Sequence, residues 1–240
     1  IFNKLHSVYN LSLIYKYGII KKYLSGGIKM SIQNDFYKLQ ASTLIKNLEK
    51  RHMKGYYCNT KAEALDLALS LMPENSSIAW GGSESIKEIG LIDALYASNA
   101  YTLYDRAKVA PEQIDETLRK AFFADFFLMS SNAITLDGQL INIDGTGNRI
   151  SALTFGPKEV IMIVGMNKVT KTVEAGIDRI KNVASPQNAI RLNRKTPCGI
   201  TGVCGNCLSP DCMCMHTVIT RNSRVDGRIK IILVGESLGY

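Results

Sequence analysis

The chain has 240 residues, of which 46% are hydrophobic and 21% charged, a balance that suits one large globular α/β domain with a sizeable core. No run approaches the roughly 18–20 uninterrupted apolar residues of a membrane helix, so membrane insertion is not expected. Five of the lysines behind the net charge of +8 (Lys4, Lys16, Lys21, Lys22 and Lys29) fall in the first 29 residues, which hold no acid. The rest of the chain carries only the remaining +3 and no basic run interleaved with aromatics, which argues against a nucleic-acid partner.

Residues 1–29 open on Ile1, are rich in Ile, Tyr, Lys, Asn and Leu, and end in Gly26-Gly27-Ile28-Lys29 before Met30. AT-rich codons give such residues, and two glycine codons can spell a bacterial ribosome-binding sequence. The stretch is therefore expected to be translated upstream DNA, a non-native or disordered extension, with the native chain and its α/β domain spanning 30–240. N-terminal sequencing of the native protein tests this; a peptide reading through position 29 refutes it. As a targeting peptide the stretch lacks a small-residue cleavage site and the arginines of a presequence.

From Met30 the pattern alternates helix and strand. Ile32, Phe36, Leu39, Leu44 and Leu48 follow a helical stripe that Gly55 stops. Residues 56–58 read as a short strand. Thr60 and Glu63 make a capping box for a helix through Leu71, before Pro73. A strand at 77–80 runs into Gly81-Gly82-Ser83, and a helix follows over 85–97. Residues 101–104 form a strand, and Pro111 opens a helix to Ala124. Strands are expected at 125–129, 140–143, 160–165 and 229–234, with a helix from a Thr172 cap through Val183. Strands alternating with helices of this length predict a Rossmann-like, mostly parallel sheet with helices on both faces.

Five of the six cysteines fall within 17 residues, in a Cys/Gly/Pro-rich loop over 197–216: Cys198, Cys204, Cys207, Cys212 and Cys214. Interspersed Gly199, Gly202, Gly205, Pro197 and Pro210 supply the sharp turns that let thiolates converge. Such soft ligands suit Zn²⁺ or a [4Fe–4S] cluster, with Cys198, Cys204, Cys207 and Cys214 as ligands and Cys212 as the substitute. Disulfides would need an oxidising compartment, for which there is no convincing signal peptide. A redox switch is compatible with the metal reading. Cys58 stands apart and reads as a buried strand residue.

Polar, glycine-bearing loops follow several strands. Gly81-Gly82-Ser83-Glu84-Ser85 precedes a helix and reads either as an anion cradle or as a capped tight turn. Glu84 and Glu88 share a helix face that is more simply exposed than catalytic. Asn132 and Asp137 lie in a second loop, and Asp144-Gly145-Thr146-Gly147-Asn148-Arg149 forms a third. In open α/β sheets ligands sit beyond the carboxyl ends of strands. Asp137 with Asp144 would serve as general base and orienting group, and Arg149 as a bidentate partner for a carboxylate or phosphate. The plainer alternative is turn chemistry. Lys168 adds a positive charge in a fourth loop. His52 and His216 are lone histidines, expected at the surface or behind ligands.

Gly81-Gly82-Ser83-Glu84-Ser85-Ile86, Ser131-Asn132-Ala133-Ile134-Thr135-Leu136-Asp137-Gly138, Asn142-Ile143-Asp144-Gly145-Thr146-Gly147-Asn148-Arg149 and Gly165-Met166-Asn167-Lys168 resemble the LUD (lactate-utilisation) domain family. So does the tail from Pro197-Cys198 to Cys214; the resemblance covers about residues 36–240. It implies a fold similar to the ribose-phosphate isomerase, glucosamine-phosphate deaminase and CoA-transferase group. It also implies a cytoplasmic bacterial role in oxidising lactate to pyruvate, as a subunit of a multi-protein, iron–sulfur-containing oxidoreductase system. The expected partners are a small anionic metabolite and iron–sulfur subunits. The rival readings are a ligand or redox sensor with a structural zinc knuckle, and a sugar-phosphate or acyl-transfer enzyme.

Overall fold

The computed structural model describes residues 32–240; the extension expected over 1–29 lies outside the described residues. Residues 36–240 form one compact unit. The described elements are α1 (Ile32–Glu49), β1 (Lys54–Cys58), α2 (Lys61–Ser70), β2 (Ser77–Trp80), α3 (Glu84–Glu88), α4 (Leu91–Ser98), β3 (Thr102–Tyr104) and α5 (Ile114–Lys120). They continue with β4 (Phe126–Met129), β5 (Ala133–Thr135), β6 (Leu140–Asp144), α6 (Asn148–Thr154), β7 (Glu159–Gly165), β8 (Val169–Thr170) and α7 (Val173–Arg179). Last come α8 (Ser185–Arg191), α9 (Pro197–Thr201), β9 (His216–Thr220) and β10 (Ile229–Val234).

Six strands form a wholly parallel sheet in the order β1-β10-β7-β4-β2-β3. This is the Rossmann-like α/β arrangement that the helix–strand alternation predicts. A parallel sheet must be covered on both faces, so its central strands read as unbroken apolar runs. Strand β7 shows this: every residue from Val160 to Gly165 is buried. Val160, Met162 and Val164 pack with Leu44 and Leu48 of α1 on one face. Ile161 and Ile163 pack with Ala64 and Ala68 of α2 and Leu91 and Leu95 of α4 on the other. Each buried branched side chain contributes about 1.5–3 kcal/mol.

Several expectations change in detail. The helix expected over 85–97 breaks into α3 and α4 at Gly90, whose φ of +76° suits a residue without a Cβ. The stripe of α1 is only half used: Leu44 and Leu48 are buried, whereas Phe36 and Leu39 stay exposed. The helix expected to end at Val183 continues. A π-turn over Ile180–Ala184 carries it into α8, and Ser185 N–H donates to the Ile180 carbonyl. Pro186 lacks a donor, and the wide turn lets the helix pass it. Residues 140–143 belong to a second, four-stranded sheet in the order β8-β5-β6-β9, not to the parallel one. In it β6 runs antiparallel to both β5 and β9, and Ile141 and Ile143 pack on Ile180 and Ala184. No described helix is long and apolar enough to cross a membrane.

Candidate functional site

Strands β7, β4 and β2 are neighbours, and the loops leaving their carboxyl ends meet in one cleft of about 670 Å³. Such a crevice is where open α/β sheets bind ligands. Gly81 to Ser85 line it from β2, Ser130 to Asn132 from β4, and Lys168 from β7. Asp144, Gly145, Asn148 and Arg149 enter from the second sheet and α6. The residues expected from three separate loops are thus brought together by the parallel register.

Arg149 is fully engaged. Its Nη1 donates to Asn142 Oδ1 (2.7 Å) and weakly to the Ser130 carbonyl (3.4 Å), and its Nη2 donates to the Ile143 carbonyl (2.7 Å) and Asn132 Oδ1 (3.0 Å). Asp144 Oδ2 lies 3.3 Å from Nε. That ion pair is close but poorly aligned, so Oδ2 remains a buried acceptor with no hydrogen bond among the described residues. Asp144 Oδ1 accepts the Gly147 N–H at 3.2 Å. Burial pulls the Arg149 pKa down while Asp144 opposes it. Rather than a free clamp for a substrate anion, Arg149 is the pin that ties β4, β6 and α6 together. A Cβ on Gly81 would lie 3.0 Å from the Arg149 side chain, so the first glycine of the loop makes room for it.

Lys168 is different. It is 5% exposed and its ammonium donates to Ser85 Oγ (2.8 Å) and Ser130 Oγ (3.1 Å). No carboxylate among the described residues lies within ion-pair distance. Burial lowers its pKa to about 7; the Arg179 and Arg149 charges push the same way, and Glu88 opposes them.

The same imbalance extends to the rim. Six basic side chains line the cleft (Lys87, Arg106, Arg149, Lys168, Arg191 and Arg194) against four acidic ones (Glu84, Asp105, Asp144 and Asp211). Glu84 pairs with Lys87 and Arg191, and Asp211 with Arg194. The two cations left without a carboxylate are Lys168 and Arg106, whose side chain has no partner among the described residues. One Arg106 Nη atom would lie 3.1 Å from a Cβ on Gly82. Sequence reading missed Arg106, Arg191 and the tail residues Gly239 and Tyr240, which also line the cleft.

Asp137 does not join Asp144. It sits at the turn between β5 and β6, on a separate small depression with Arg51 and Arg221. There Arg51 Nη2 donates to its Oδ2 (2.7 Å), and Thr135 and Gln139 also bond its carboxylate. The expected Asp137–Asp144 pairing is thus replaced by turn chemistry at Asp137, because the β-hairpin points its tip away from the cleft. Gly147 does not line the cleft either; at φ +91° it caps α6 beside the His216 ring. Cys58 is a buried strand residue, its thiol pushed up to about 11 by burial and then by Glu63.

The cysteine segment forms one wall. The Met215 N–H donates to the Asp144 carbonyl (3.1 Å), and β9 then pairs with β6, Asp144 opposite His216. This draws Asp211, Cys212 and Met213 into the cleft lining. All six cysteines are free thiols. Cys214 Sγ donates to Ser185 Oγ at 3.4 Å. Burial raises its pKa, and Cys212, Cys198 and Cys204 lie near enough to raise it further. Cys207 is shifted the other way by the Ser209 N–H and hydroxyl, then by Cys212. The thiols are thus neighbours of the right chemistry for a soft metal. Yet among the described residues no three His, Cys, Asp or Glu side chains converge as a ligand set.

Among solved structures, the chain is similar to a DUF162 family protein from Deinococcus radiodurans, known from a crystal structure at 1.70 Å resolution. The identity is 14%, the TM-score 0.45, and the match covers 84% of this chain and 98% of the other. No curated protein matches the sequence. The LUD domain family model matches residues 41–234, a span that takes in the glycine loop, the Arg149 pin, Lys168 and all five clustered cysteines. By that match the chain belongs to the LUD domain family.

Proposed function

We propose that the cleft binds a small organic acid and that the protein takes part in oxidising lactate, or a related 2-hydroxy acid, to the keto acid. The observation that carries this reading is Lys168: a buried ammonium with no carboxylate partner, at the floor of the cleft. An unpaired buried charge is costly, and a bound anion supplies the missing partner. Arg106 adds a second open cation at the rim. Asp144 lines the same cleft, where its carboxylate would accept from a substrate hydroxyl. Membership of a lactate-utilisation family points to the same chemistry.

In this reading Cys198, Cys204, Cys207 and Cys214, with Cys212 as the substitute, hold a [4Fe–4S] cluster beside the cleft and link it to iron–sulfur partner subunits in the cytoplasm. The thiolate donor set favours it, and the cleft wall supplies the proximity. Closing the thiols onto a cluster requires the loop to tighten. If instead the segment takes one Zn²⁺, it is a structural knuckle and the protein a ligand sensor.

Two measurements test the proposal. Protein purified without oxygen should be brown, with iron and sulfide in near-equal amounts; a colourless protein with one zinc removes the electron-transfer role. Lactate or pyruvate should raise the melting temperature of the wild type and leave Lys168→Met unmoved. An equal response in both proteins removes the cleft from the account.

A further inference from the structure

We propose that Lys168 is a covalent catalytic residue, whose Nζ forms an imine with the carbonyl carbon of an oxo acid seated in the cleft. This rests on the proposed organic-acid site and assigns its two open cations different tasks: Arg106 holds the anionic group, and Lys168 meets the carbonyl. The geometry favours that division. Arg106 stands at the exposed rim with an always-charged planar fork suited to an oxyanion. Lys168 is buried in the same cleft and, among the described residues, has no counterion and only hydroxyls as hydrogen-bond partners.

A lysine meant only to neutralise an anion works best as a stable ammonium. A lysine meant to attack a carbonyl must spend part of its time as a neutral amine, which desolvation and nearby cations achieve. Both conditions meet here. Burial comes first, Arg179 on α7 and Arg149 on α6 add like charge, and Glu88 on α3 opposes them. The two arginines are themselves held by carbonyl and amide oxygens, so neither is free to leave.

The step balances without oxidant or reductant. The Nζ lone pair attacks the carbonyl carbon, the C–N bond forms, and the carbonyl oxygen takes a proton to give a carbinolamine. Nitrogen then loses its remaining proton, the hydroxyl leaves as water, and C=N is left. The hydroxyls of Ser85 and Ser130, at 2.8 and 3.1 Å from Nζ, are placed to relay these protons. The carboxylate of an oxo acid and the phosphate of a phosphorylated ketone offer the same anion-plus-carbonyl chemistry, so both are tried.

The full chain is incubated with pyruvate or with dihydroxyacetone phosphate, reduced with cyanoborohydride, and read by intact mass and peptide mapping. The expected result is one reduced adduct per chain, mapped to Lys168, with whichever compound labels faster identifying the anion. The labelling rate should rise about tenfold from roughly pH 6 to roughly pH 8 and then level off, as the amine loses its proton near 7. Lys168→Met should show no such adduct; should that variant fail to fold, the peptide map of the wild type decides alone. Labels spread over exposed lysines, still rising at high pH, would overturn the proposal. Stabilisation by pyruvate without a label on Lys168 overturns the imine and leaves the binding site standing. Neither stabilisation nor label by either compound overturns both.

Discussion

Two cations that both donate to Ser130 are treated in opposite ways. Arg149 donates to four acceptors and has Asp144 beside it. Lys168 has two serine hydroxyls and no acid. The difference shows how one fold divides structural from chemical work. A charge whose Nη donors are answered from within holds strands in place, while a charge left short of a counterion waits for one from outside.

The strongest way to break this contrast is Arg149→Ala. It would strand Asp144 and the Asn132 and Asn142 amides in a largely buried site, at a cost of about 3–5 kcal/mol. Chemical denaturation should show that loss; a change under 1 kcal/mol would mean that Arg149 is not the pin. Next comes the pH dependence of stability. The folded Lys168 pKa of about 7 lies below its unfolded value of 10.5, so the unfolded chain binds more protons between those limits. Stability should therefore rise with pH across that window, by on the order of a few kcal/mol, and the penalty should be fully present below 7. Lys168→Met should flatten the rise and be no less stable near neutral pH; an unchanged profile would reassign the effect.

A smaller effect is expected at the cysteine wall. Cys204→Ser should abolish metal uptake yet leave the pyruvate-induced melting shift within about 1 °C of wild type, since site and wall are separate contacts. Loss of both would merge them. Least is expected of Asp137→Asn, which removes a half-exposed ion pair with Arg51 and should cost about 0–1 kcal/mol. Organic-acid binding should not change; if it did, the turn between β5 and β6 would reach the cleft after all.

Much of the fold is legible along the chain because apolar periodicity is local: β7 announces itself as an unbroken run from Val160, and β10 as a run interrupted only by Lys230. Glycines and caps mark the loops, as Ser83 does for α3. The second sheet is harder to see. Strand β9 is short, half-exposed and polar, and exists because β6 is there to pair with it. The break at Gly90 and the π-turn before Pro186 likewise depend on where a continuing helix would lead.

By its residues and their order alone, the sequence determines a parallel α/β sheet, glycine loops at strand ends and a dense cysteine segment. Motif and periodicity act over a few residues, and those are local facts. Which polar residues share a cleft, and what each does there, is decided by tertiary structure. Asp137 and Asp144 look equivalent in the chain, yet the hairpin sends one to a surface turn and the β6–α6 junction sends the other into the cleft. Lys168 reads as a positive charge at a strand-end ligand loop, and its burial shows only when Ser85, Ser130 and two arginines close around it. Burial and the absence of a counterion are properties of space, set by residues as far away as 83 positions.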